Sequence, residues 1–214
     1  MDDMEREHPH DAPVVELDAA AANACVAVLV EAFAGDASLR FVIGEAAEDH
    51  EARLRSLVSF FVSARLLRGE PILGVRDGGA LVGAALVSYP WLESPRALAD
   101  RREAVWDEVG REARARYDAM NRTTARFDPG RPHIYLNMLG VRRSHRGAGL
   151  GRRLIDAAQD LSRGLATSEG VALVTEGAAN LRYYRRLGFE EVGHATLAPG
   201  LETFVFFRRD DLAA

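Results

Sequence analysis

Hydrophobic positions along the chain switch between a helical period and strict alternation, and the order of the switches predicts a mixed α/β domain. Val14-Val15-Glu16-Leu17 reads as a short strand, and Asp18 can cap a helix to about Phe33 by accepting from its first free N–H groups. Leu54, Leu57, Val58, Phe61 and Ala64 recur at helical spacing within 50–67, which predicts a second helix with one face on the core. Two strands follow, 72–76 and 80–89. They are joined by Asp77-Gly78-Gly79, residues that accept the positive φ of a tight hairpin, so the pair is antiparallel.

The segment 94–128 is too long for a structureless loop in a compact domain. Trp106, Val109, Ala113, Tyr117 and Met120 form a stripe among balanced arginines and acids, so it reads as a helical insertion that either packs on the sheet or covers a substrate. From 134 the alternation returns, with Ile134, Leu136 and Met138 on one face and Tyr135, Asn137, Leu139 and Val141 on the other. A glycine-rich turn then opens an amphipathic helix through Leu150, Leu154, Ile155, Ala158, Leu161 and Leu165. The apolar run 171–175 completes a strand, helix, strand unit with parallel strands. A short helix carrying Tyr183 and Tyr184 stops at Gly188, and strands 189–196 and 201–208 close the chain as a hairpin. The expectation is one domain over 13–210 with a helical insertion at 94–128, helices on both faces of a mixed sheet, and a polar, disordered tail at 1–12.

Composition narrows the class. A chain that is 48% hydrophobic and 28% charged is an ordinary globular protein, and no apolar run approaches the roughly 20 residues of a membrane span. All 27 basic side chains are arginine, and the net charge of -5 argues against a nucleic-acid partner while weakly favouring a cationic substrate. The acidic first residues lack the basic-then-apolar order of a signal peptide, which places the protein in the cytoplasm. Cys25 reads as a small buried hydrophobe, His8 and His10 as solvated, and no metal site is expected.

The chemistry centres on 134–165. A strand feeding a glycine-rich turn that opens a helix aims free amides and the positive helix end at one point, a site for a phosphate-bearing ligand. Gly147, Gly149 and Gly151 alternate, unlike the Gly-x-Gly-x-x-Gly of dinucleotide folds, and no Gly-Lys-Ser/Thr of a P-loop is present.

Leu139-x-Val141, Arg146-Gly147-x-Gly149-x-Gly151, Asn180-x-x-x-Tyr184 and Leu187-Gly188-Phe189, in that order, resemble the GCN5-related N-acetyltransferase superfamily. Within it the C-terminal half is most similar to the puromycin N-acetyltransferase-like group. The resemblance covers about 132–207. It implies a mostly antiparallel sheet of six to seven strands whose central parallel strands splay apart, after Val141 on this reading. It also implies acetyl-CoA as cofactor. The amides of Arg146, Gly147, Ala148, Gly149, Leu150 and Gly151 would hold the pyrophosphate, and the backbone at Leu139, Gly140 and Val141 would pair with the pantetheine arm. Leu139 N–H would donate to the thioester oxygen. Asn180 would bond the pantetheine arm, or else cap the turn that follows it, and Tyr184 would protonate the departing thiolate. Tyr183, its rival by adjacency, points about 100° away on a helix.

The implied reaction is acetyl transfer to the primary amine of a small molecule by direct attack. The alternatives are a protein N-terminal or lysine acetyltransferase and a non-catalytic acyl-CoA-binding module. The partner is then a small amine, with no nucleic acid or membrane, and the protein a monomer or homodimer. Where related enzymes often carry a glutamate this chain has Val174, which leaves Glu93, Asp128, His133 and Glu176 as candidate bases. Tyr135, Asn137 and Trp91 are candidate pocket lining, the first two because polar groups inside a central strand need a reason to be there.

Overall fold

A computed structural model describes residues 12–44 and 48–211. The tail expected at 1–12 falls outside them except for Ala12, which is buried. In chain order the elements are β1 (Val14–Glu16), α1 (Ala22–Phe33), α2 (Ala37–Ile43), α3 (His50–Arg68), β2 (Ile72–Asp77), β3 (Ala80–Ser88), α4 (Arg96–Val109), α5 (Arg111–Thr124), β4 (Ile134–Val141), α6 (Leu150–Arg163), β5 (Gly170–Thr175), α7 (Ala178–Arg186), β6 (Glu190–Ala198) and β7 (Leu201–Arg209). The seven strands form one sheet in the order β1-β2-β3-β4-β5-β7-β6. Only β4 and β5 run parallel; every other neighbouring pair is antiparallel.

Local chemistry accounts for the elements. Asp18 accepts from the N–H groups of Ala20 and Ala21 at 3.0 and 3.2 Å, capping a short 3-10 turn that leads into α1. Gly78 and Gly79 take φ of 54° and 83° in the β2–β3 hairpin, as its strand twist requires. The insertion is two helices broken at Gly110, whose φ of 105° is closed to other residues. Its Tyr117 ring lies 5.1 Å from Trp106 and 5.9 Å from Phe61, and the Arg116 Nε donates to Val42 O at 2.9 Å, so α5 is fastened over α2 and α3.

Each sheet face carries a core. One is built from α1, α3 and the insertion with Leu29, Leu57 and Trp106 among its buried residues; the other lies under α6 and holds Leu154, Ile155 and Phe206. Cys25 is fully buried in the first, where burial pushes its thiol up to about 12. Among the described residues no helix is long and apolar enough to cross a membrane.

Three features depart from the sequence expectation. First, α2 was not foreseen: Asp36 accepts from Leu39 N–H at 3.0 Å and from the Ser38 hydroxyl at 2.6 Å, and seven residues are too few to display a helical period. Second, β4 does not alternate cleanly. Leu136 pairs with Val87 and Met138 with Leu86, so Asn137 is an extra residue, a bulge that rotates the strand. Ile134 and Leu136 therefore face the α6 core, whereas Met138 enters the opposite core with α1 and α3. Third, β4 and β5 are paired only from Ile134↔Val171 to Leu136↔Leu173, so they part after Leu136 rather than after Val141.

A buried charge cluster fixes the turn after β3. The fully enclosed Glu70 carboxylate lies 3.1 Å from Arg65 Nη1 and 3.0 Å from Arg68 Nε, and accepts from Tyr89 N–H at 2.9 Å. Arg68 Nη2 donates to Tyr89 O and Leu92 O. Glu70→Ala strands two arginines without their counter-charge, and it should lower stability by about 3–5 kcal/mol in denaturant unfolding.

Candidate active site

The parting of β4 and β5 opens a cavity of about 630 Å³ that spans the middle of the molecule. On its outer side β4 remains paired to β3 as far as Val141, and β5 to β7 as far as Thr175. On the inner side residues 137–141 have no strand partner, so this backbone is open to an extended, amide-bearing ligand. Leu139, Gly140 and Val141 all line the cavity.

Beside the cavity, beyond Arg146, lies the glycine loop, whose residues 147–151 are not themselves in the lining. Gly147 and Gly149 adopt φ of 85° and 76°, and a Cβ on either would meet nothing within 4 Å. The space beside these glycines is what a phosphate needs to approach backbone amides. The first residue to bond back along α6 is Arg153, whose N–H donates to Gly149 O at 3.2 Å. The helix's leading amides, Leu150 and Gly151 among them, lie ahead of it with those of Gly147 and Ala148. Arg143 and Arg146, just before the loop, line the cavity. The loop therefore fits a pyrophosphate by both shape and charge.

Where α1 and β5 end stand two carboxylates that line the cavity. Glu176, just beyond β5, accepts from the Thr203 hydroxyl at 3.0 Å; burial, with Asp36 nearby, pushes its carboxyl from an ordinary 4.5 up to about 7. Ser38 lies within hydrogen-bonding reach of Glu176 and donates to Asp36 at 2.6 Å. Neither carboxylate has an ion-pair partner among the described residues. Tyr184 also lines the cavity, its ring against Phe189 and Phe206 at 5.8 Å each, and burial pushes its phenol up to about 12. Burial also raises Tyr135 well above the ordinary phenol range. Tyr117, Met120, Asn121 and Thr124 of α5 form the far wall, so the insertion reaches the cavity as well as packing on the core.

The sequence candidates fall on both sides of this boundary. Asn180 lines the cavity and donates from Nδ2 to Thr175 Oγ1 at 3.0 Å; it sits inside the first turn of α7, behind Gly177, and is not the cap of a later turn. Tyr184 lines the cavity, whereas Tyr183 points toward Gly151 on α6. Tyr135 and Asn137 are both in the lining. Trp91 is not: the Tyr89–Leu92 turn, held by Arg68, leaves it 39% exposed and stacked on Tyr89 at 5.3 Å. Of the four candidate bases only Glu176 lines the cavity. Glu93 and Asp128 are exposed, Asp128 closing its own turn onto Gly130 N–H, and His133 is buried against Phe207. Sequence reasoning overlooked Asp36, Ser38 and Thr203. The Asp36-x-Ser38 cap was a readable signal for the first two.

The family model described as Acetyltransferase (GNAT) family matches residues 39–189, and the chain belongs to that family: it is an acetyl-CoA-dependent acetyltransferase. No curated protein matches the sequence significantly. Among solved structures, a histone acetyltransferase HPA2 and related acetyltransferase from Corynebacterium glutamicum is 23% identical with a TM-score of 0.70, over 95% of this chain and 98% of that one. The Drosophila melanogaster polyamine N-acetyltransferase, which forms N-acetylagmatine, is 14% identical with a TM-score of 0.66 over 93% and 100%. The acetyltransferase yncA of Salmonella typhimurium, solved with acetyl-CoA, is 19% identical with a TM-score of 0.55 over 95% and 96%. These likenesses are of fold.

The raised carboxyl has a consequence for stability. With its folded value near 7 and an ordinary value of 4.5, Glu176 is neutral in the fold over a range where the unfolded chain is ionised. Its favourable contribution is complete below about pH 4.5 and is lost as pH rises through 7. Glu176→Gln, neutral throughout, should match the parent protein at pH 4 and exceed its unfolding free energy by on the order of 3 kcal/mol at pH 8.

Proposed function

We propose that the protein acetylates the primary amine of a small molecule by direct attack of that amine on the thioester. The observation that carries this reading is the meeting of Glu176 and Tyr184 in one cavity where β4 and β5 part. One can take a proton near neutrality and the other can give one. Acetyl-CoA supplies the activated acetyl group. Amides from Arg146 to Gly151 hold its phosphates, Asn180 and the β4 edge hold its arm, and Leu139 N–H faces the oxygen that gains charge during attack. Glu176 removes the proton of the arriving ammonium, so the amine reacts neutral. Tyr184 keeps its proton until the departing sulfur takes it.

Two features support a small acceptor carrying positive charge. Asp36 and Glu176 line the acceptor end without cation partners among the described residues, which favours an ammonium. Tyr117, Met120, Asn121 and Thr124 of α5 wall the cavity, which favours a small acceptor over a polypeptide. The polyamine acetyltransferase fold-neighbour agrees with this class. The run from Asn180 to Phe189 supports a closer placement beside puromycin N-acetyltransferase-like proteins.

Release of free thiol from acetyl-CoA against a panel of small amines tests the reading. Turnover is expected with at least one cationic amine, and kcat/KM should fall as pH drops below about 7, a limb that Glu176→Gln abolishes. Tyr184→Phe should lower kcat by about 10²- to 10⁴-fold, and unchanged turnover would remove Tyr184 from the acid role.

A further inference from the structure

We propose that Glu31, on the last turn of α1 and outside every motif of the cofactor loop, is the positioning residue that holds the phosphate cradle in its binding shape. Its two carboxylate oxygens grip consecutive residues at the root of the loop. Oε2 accepts from Arg142 Nη1 at 2.7 Å and Oε1 from the Arg143 N–H at 2.8 Å. Arg142 is fixed again from the other side, its Nε donating to Leu81 O at 3.0 Å and its N–H to Val82 O at 2.8 Å. The arginine beside β4 is thus a bolt between α1 and β3, and its charge is matched within the protein. Arg143 differs: Glu31 holds its amide while its side chain lines the cavity.

The surroundings make α1 a firm base for this grip. A Cβ on Gly140 would come within 2.6 Å of Ala32 Cβ and 3.1 Å of Leu29 Cδ2, so helix and strand touch backbone to side chain directly before the loop. Arg146 Nη2 donates to Ala32 O at 3.4 Å, one residue from Glu31. Across the loop, His145 Nε2 lies 3.1 Å from Asp77 Oδ2 at the β2–β3 hairpin. Both phosphate-facing glycines lie beyond these ties, in backbone that is intrinsically free. Donors that converge before the ligand arrives need no ordering when it binds, and that saving appears as affinity. The Arg143 amide and Arg142 guanidinium also hold the Glu31 carboxyl below its usual range, so it stays ionised at neutral pH.

Ion pairs this exposed contribute little to global stability, since both side chains are about one-third exposed, at 31% and 32%. Glu31 should therefore register in cofactor binding and hardly at all in unfolding. The test compares coenzyme A with pantetheine, which has the same arm and no pyrophosphate, using calorimetry for the first and competition for the second. In Glu31→Ala the Kd for coenzyme A should rise roughly tenfold, a loss of about 1.4 kcal/mol, with the Kd for pantetheine and the melting temperature essentially unchanged. Glu31→Gln keeps an oxygen for the Arg143 amide and should lose roughly threefold for coenzyme A alone. Coenzyme A binding as tightly as to the parent protein would overturn the proposal. Equal losses for both ligands would overturn it too, because they would mean a general distortion. Should Glu31→Ala not fold, the same two comparisons on Glu31→Gln decide it.

Discussion

The structure turns on a break in its own sheet. Backbone amides and carbonyls in the middle of a sheet are normally paired, and leaving them open is unfavourable. Here β4 and β5 share three residue pairs and then separate, while each keeps its outer neighbour to its end. The bulge at Asn137 comes directly after the last β4–β5 pair, and β5 ends at Thr175 before the chain turns into α7 at Gly177. The resulting open edge lines the cavity. An extended ligand with its own amides can complete it, which is the property an acyl-pantetheine arm offers.

Charge is then distributed along the cavity in a way that suits transfer between unlike groups. Arg143 and Arg146 line the cavity, as do Asp36 and Glu176 and also Arg65, which is paired to the buried Glu70. On the proposed reading, the arginines would draw the anionic cofactor and the two carboxylates a cationic acceptor. The burial that raises Glu176 toward neutrality is the same burial that keeps the Tyr184 phenol protonated. Desolvation disfavours charge on both, which is what the proposed base and acid require.

Much of this was legible in the residues. The stripe of Leu150, Leu154, Ile155 and Ala158 is buried as its spacing demands, Asp77-Gly78-Gly79 is a hairpin, and the 94–128 insertion is helical. What could not be read has particular causes. A bulge adds a residue without changing composition, so strict alternation placed Met138 with Ile134 and Leu136 when it belongs to the opposite core. The α2 helix is shorter than two full periods. Trp91 was a candidate for the lining, but the Glu70–Arg68 cluster, tied to Tyr89 and Leu92 about twenty residues on, folds its turn outward.

The unevenness has a deeper source in how the two halves of the cavity are assembled. The proposed cofactor side is local: β4 and the chain to Arg146 line the cavity, residues 147–151 follow directly, and α7 adds Asn180 and Tyr184. Short spacings fix such a site, so a motif can record it. The acceptor end gathers Phe33, Asp36, Phe61, Tyr117, Tyr135 and Glu176 from six separate elements or junctions. Each of those residues is individually ordinary, and only the packing of α1, α2, α3 and α5 over the sheet brings them together. The sequence therefore speaks plainly about the ligand shared by a whole family of acetyltransferases. About the acceptor it speaks only through the tertiary contacts that set Asp36 beside Glu176.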